Sequence, residues 1–133
     1  MSSMIAPSVM VYNLGATVPA GTNDDWGLFT APVPMQIIRV QVTNGAALTG
    51  HASNYTTFSL RKNGTVIASR AMTAGNNAVA DTPFELTLAS NSDDTKVAVG
   101  DVVSFRKQDS GTGMALTAQS SVAIFALVGA HRN

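Results

Sequence analysis

Apolar and polar positions alternate along most of the chain, and the clearest run spans Thr56 to Arg70. Phe58 and Leu60 alternate with Thr57, Ser59 and Arg61, and Asn63-Gly64 separates them from a second run that begins at Thr65. A strand sends successive side chains to opposite faces, so this alternation marks strands with one buried face. Asn-Gly tolerates positive φ at both central positions, as a type I′ hairpin requires. The pattern predicts a two-residue hairpin with Lys62 opposite Thr65 and Leu60 opposite Ile67 on the buried face. Elsewhere Ile38, Val40 and Val42 alternate with Arg39, Gln41 and Thr43, and Phe84, Leu86 and Leu88 with Glu85 and Thr87. Val103 and Phe105 follow a Gly100-Asp101 turn and alternate with Ser104 and Arg106. The stretch Asp24 to Pro34 predicts an edge strand ended by Pro32 and Pro34, since proline cannot donate to a ladder. Val9 to Leu14 predicts a further strand.

Ser120 to Gly129 breaks the pattern. As a strand it carries Val122, Ile124, Ala126 and Val128 on one face and Ala123, Phe125 and Leu127 on the other, so neither face suits water. One face belongs to the core; the other needs a cover, from the N-terminal segment, a second copy or a larger surface. Residues 44–55 and 73–82, rich in Gly, Ala, Asn and Thr, predict long connections between layers. The expected fold is all-β: a single-domain, two-sheet β-sandwich of jelly-roll type with about eight strands, a fibronectin-like sandwich being the alternative. Residues 1–20 are expected to be an N-terminal arm or first strand, and residues 21–133 the β-sandwich domain.

Composition narrows the function. Eight basic and eight acidic residues cancel, and charged residues make up 12% of the 133, about half the usual ~25%. A chain with so little charge is expected to have much of its surface covered in use. It lacks the basic surplus with which nucleic-acid binders neutralise phosphates. The absence of cysteine removes disulfides, thiolate metal sites and cysteine nucleophiles. Residues 1–23 contain no Lys or Arg, so the positive start of a signal peptide is missing. No apolar run approaches the ~20 residues of a membrane helix. The expectation is a protein made in the cytoplasm, for which the sequons at Asn54 and Asn63 lie off the secretory route.

Candidate chemistry is sparse. His51 sits in a polar loop and His131 in the terminal tail, with no Gly-x-Ser-x-Gly elbow to present a nucleophile and no carboxylate spacing that makes them a metal site. Of the doublets Asp24-Asp25 and Asp93-Asp94, the second sits in an alternation of Asn91, Asp93 and Thr95 but lacks the glycine and distal Glu of a calcium loop. Turn capping accounts for both. Gly111 and Gly113 lack the Lys-Ser/Thr of a phosphate loop and predict a turn. Trp26, Phe29 and Tyr55 are candidate sugar platforms in a chain with eight aromatic residues, of which Phe58, Phe84 and Phe105 are expected in the core. The basic residues Arg61-Lys62, Arg70 and Arg106-Lys107 either form a solubilising face that blunts sheet edges or meet an acidic partner surface. The expectation is a protein that is not an enzyme and has no cofactor or metal.

Two stretches carry a resemblance to a family. Val99-Gly100-Asp101 opens a strand, Gly111-Thr112-Gly113 follows as a loop, and the apolar strand Ser121 to Val128 closes the domain. In these features the C-terminal third resembles the capsid decoration, or cement, proteins of tailed bacteriophages; the remainder is similar in composition only. The resemblance implies a jelly-roll or related β fold, no catalytic residues, and a place on the virion capsid surface after synthesis in the host cytoplasm. The implied role is mechanical: binding the outside of an assembled capsid and bridging subunits of the major capsid protein, often as a homotrimer whose tethered contacts add avidity. The expected subunit interface is then Val9, Val11, Leu14, Phe125 and Leu127, and the expected capsid contact Arg61, Arg70 and Arg106. The alternative is a receptor- or glycan-binding tip module of a phage tail or fibre.

Overall fold

A computed structural model describes residues 6–15 and 17–128. They form β1 (Ala6–Asn13), β2 (Asp24–Thr30), β3 (Met35–Thr43), β4 (Tyr55–Lys62), β5 (Thr65–Ala71), β6 (Phe84–Leu88), β7 (Lys96–Val97), β8 (Val102–Ser110) and β9 (Ser121–Val128), and no helix occurs among the described residues. The strands pair in the order β1-β9-β3-β6-β5-β4-β8-β2, with the two-residue β7 attached to β3. All pairings are antiparallel.

With β7 set aside, the pairs are nested: β1 with β9, β2 with β8, β3 with β6 and β4 with β5. A long antiparallel hairpin wrapped around a core gives this order, which is the jelly roll. One layer is β1-β9-β3-β6 and the other is β5-β4-β8-β2. β6 joins them by changing partner along its length, pairing Phe84 to Leu86 with β3 and Thr87 to Leu88 with β5. On the opposite side the two end strands approach without pairing among the described residues. Tyr12 and Phe29 stack there at 5.9 Å, and Trp26 Nε1 donates to the Leu14 carbonyl at 3.1 Å.

The core lies between the layers, where Ile37, Val40, Phe58, Leu60, Val103, Phe105, Val122 and Ile124 are at most 1% exposed. Each such side chain contributes roughly 1.5–3 kcal/mol by leaving water. Residues 44–54 and 72–83 connect the layers as expected and meet in a bridge between Leu48 and Ala78.

Two register details differ from the alternation. Asn63 and Gly64 have φ of 52° and 85°, and Lys62 faces Thr65 as expected for the hairpin. Beyond Arg61↔Val66, however, a bulge makes Ala68, not Ile67, the partner of Leu60. In β3 the pairing passes from Ile37↔Ala126 to Arg39↔Phe125, so Ile38 is the extra residue. A bulge sets two residues against one and reverses the phase of the strand. Ile37 is therefore buried at 1% exposure, while Ile38, expected inward, is 46% exposed.

Candidate interaction surface

β9 lies between β1 and β3. Its inward residues Val122, Ile124 and Ala126 are fully buried, and Ala123, Phe125 and Leu127 on the outer face are half-buried. Cross-strand rows extend that outer face. Val9, Phe125 and Arg39 are opposite one another, as are Val11, Ala123 and Gln41, and Pro7, Leu127 and Gln36. The result is an apolar strip on which Val9 is 52% and Val11 61% exposed.

Residues 6–15 do not fold over this strip. Ala6–Asn13 is the first strand, edge to edge with β9, and its valines enlarge the exposed patch. Leu14, grouped with them from sequence, instead belongs to the chain's own core at 5% exposure, with its amide bonded to the Ser120 carbonyl at 3.0 Å. What partly shields Phe125 is Arg39, whose guanidinium lies 5.6 Å from the ring centroid and donates to both Glu85 oxygens at 3.0 and 2.9 Å. Gln41 also donates to Glu85. Burial pushes the Glu85 carboxyl up, but the Arg39 and Gln41 hydrogen bonds and the Arg39 charge outweigh it, leaving it below its ordinary value.

The outer face of the other layer is charged and self-contained. Asp25 accepts from Arg106 Nε at 2.8 Å and from Arg61 Nη1 at 3.4 Å. The Arg106 hydrogen bond, working against slight burial and with the charges of both arginines, holds the Asp25 carboxyl below its ordinary value. Arg70 is not with them. It stacks over Phe84, with Cζ 5.6 Å from the centroid, where β6 leaves β5. The three arginines expected to share one contact thus occupy two places.

A buried ion pair was not foreseen. Lys107 is fully buried and donates to both Asp109 oxygens at 2.9 and 2.7 Å and to the Thr22 carbonyl at 2.7 Å. Asp109 also accepts from Thr56 Oγ1 at 2.6 Å and from the Gly21 amide at 2.8 Å. The pair locks the β1–β2 loop onto β8, and every polar atom in it has a partner. Val103, Phe105 and Lys107 share one strand phase, and that phase was the available signal.

The remaining candidates serve loops. His51 Nδ1 accepts the amides of Ser53 and Asn54 at 3.0 and 2.9 Å, and His131 lies outside the described residues. Asp24 accepts the Asp25 amide at 2.9 Å, and Asp93 pairs with Lys96 at 3.0 Å. Gly111 and Gly113 take φ of 67° and 63° in the β8–β9 turn, where the Thr112 amide bonds to Asn54 at 3.1 Å. Among the described residues no three His, Asp or Glu side chains form a ligand set. Trp26 is half-buried against Phe105 at 5.9 Å, and Tyr55 is half-buried as well. No family model matches the chain, and no curated protein matches it in sequence.

Proposed function

We propose that the chain is a structural virion protein, not an enzyme, that self-associates as a homotrimer and binds the outside of an assembled phage capsid, bridging major capsid subunits. The observation that carries the self-association is the apolar strip on β1 and β9, where Val9 and Val11 are 52% and 61% exposed beside Phe125 and Leu127. Water is a poor partner for a continuous apolar face, and such patches mark contact surfaces. An uncharged strip on a protein of net charge zero fits a second copy of itself, since like-charge repulsion does not oppose the contact. The capsid assignment rests on the family resemblance of the C-terminal third. The jelly-roll fold agrees with it, and viral capsid domains are among the proteins built this way.

The test has two parts. Light scattering of the wild-type chain should give three times the 13.8 kDa chain mass at micromolar concentration, and Phe125→Asp should give the single mass. A stable wild-type monomer rejects the preformed trimer. Cryo-electron microscopy of particles assembled with and without the protein then tests the capsid assignment, which fails if no surface density depends on it.

A further inference from the structure

We infer that the fork between β5 and β6 is a docking slot for a carboxylate carried on an extended peptide. The two strands pair only through Ala68↔Leu88 and Ser69↔Thr87, after which β6 turns away to β3. Beyond that point their facing edges diverge and hold no strand between them. A groove of about 510 Å³ opens there, lined by Ser69, Arg70, Ala71, Asn76, Glu85 and Thr87.

Arg70 carries the argument. Among the described basic side chains, Arg39, Arg61, Lys96, Arg106 and Lys107 each pair with a carboxylate, and Lys62 donates to the Lys96 carbonyl at 2.7 Å. Arg70 makes no such bond to any described residue. Its guanidinium is steadied by the Phe84 ring at 5.6 Å instead, and its N–H groups meet no acceptor among the described residues. A guanidinium held in this way presents a planar fork of donors that matches a carboxylate bidentately. Ser69 and Thr87 add neutral hydroxyls to the walls. Glu85, the one acidic residue of the lining, is already held by Arg39 and Gln41 and forms no ion pair with Arg70.

The walls decide the kind of ligand. Both are strand edges, and an extended peptide gains main-chain hydrogen bonds there as in strand addition, which a carboxylated sugar cannot. The site stands on its own geometry; only its assignment to the capsid partner rests on the proposed function.

Nuclear magnetic resonance of the full isotope-labelled chain tests this with a capped hexapeptide of alternating Val and Glu, its Gln isostere, and N-acetylneuraminic acid. The Glu peptide should shift amides at residues 69–71, 76 and 85–87. The Gln isostere should bind at least about tenfold more weakly to the wild type, and Arg70→Gln should weaken the Glu peptide by a similar factor. Arg70→Lys should fall between. Equal affinity for the two peptides, shifts centred elsewhere, undiminished binding by a folded Arg70→Gln, or no binding at millimolar peptide each overturns the inference; so does tighter binding of the sugar acid. If Arg70→Gln does not fold, the two peptides on the wild type decide the matter. Light scattering of Arg70→Gln should match the wild type, so failure here leaves the β1–β9 interface standing, and the reverse also holds.

Discussion

The two layers of the sandwich handle charge in opposite ways. Apart from Arg70 at its border with β6, the β5-β4-β8-β2 layer neutralises its main charges locally on both sides, with Asp25 between Arg61 and Arg106 outside and Lys107 against Asp109 inside. The β1-β9-β3-β6 layer is apolar inward; outward it is apolar on β1 and β9 and polar on β3 and β6, where Arg39 and Glu85 form an ion pair beside Phe125 at the border of the strip. Their end strands differ in the same sense. β2 has Asp24, Asp25 and a bulge between Gly27 and Phe29, features that discourage sheet-to-sheet pairing. β1 keeps unbroken register over eight residues, and its only such device is Pro7. A surface whose charges are already paired has little left to offer a partner. The uncovered apolar strip on β1 and β9 does, and the proposed self-association would act there.

The largest effect should come from breaking the buried pair. Asp109→Ala leaves the fully buried Lys107 without its carboxylate partner, at a cost of about 3–5 kcal/mol. Urea unfolding measures it. A loss below about 1 kcal/mol would mean that water reaches Lys107 and that this layer is not closed.

Next in size is a contrast between adjacent isoleucines in β3. Ile37→Ala removes a side chain that is 1% exposed and should cost about 2–5 kcal/mol. Ile38→Thr changes a bulged residue that is 46% exposed and should stay within about 0.5 kcal/mol. Equal losses would show that the bulge is misplaced.

These residues also mark what the sequence makes legible. Strand identity, the Asn63-Gly64 turn and the long connections are local, and alternation and turn chemistry reveal them. The bulges at Ile38 and Ile67 are not local, because they depend on which partner strand sets the register. The change of partner halfway along β6 is hidden for the same reason. Asp25 and Arg106 are 81 residues apart, so the neutralisation of Arg106 could not be read from neighbours. Lys107 shares the strand phase of Val103 and Phe105, but lysine is so seldom fully buried that phase alone does not place it in a core. Of the interface candidates, Val9, Val11, Phe125 and Leu127 share one outer face because alternation governs both strands, whereas Leu14 lies past the end of β1, where alternation no longer applies.

Phe125→Asp should act on assembly more than on the fold. The ring is half-buried, and its loss inside the chain removes the Arg39 contact, worth about 0.5–1 kcal/mol at an exposed site, and part of its burial opposite Val9. In an assembled interface the same change places a carboxylate in an apolar contact. The expected result is a fall in mass by light scattering, with a melting temperature that drops only to that of the wild type diluted to monomer. A large loss of thermal stability without a change in mass would assign Phe125 to the fold instead.

The smallest effect belongs to the charged face, and its sign can be worked out. The Arg106 hydrogen bond is the main reason the folded-state pKa of Asp25 lies below its ordinary 3.8. Between the folded and unfolded values the unfolded state binds more protons, so the contribution is fully present above the unfolded value and fades as pH falls through the folded one. Asp25 is 54% exposed, so solvent screens most of this interaction, and the total should stay below about 1 kcal/mol. Asp25→Asn should therefore be slightly less stable than wild type at neutral pH, with the gap shrinking in high salt and closing as the pH drops well below 4. Urea unfolding at neutral and acid pH, each at low and high salt, provides the check. A gap that persists in acid would mean that Asp25 acts through something other than its charge, and the outer face of this layer would then not be held by paired ions.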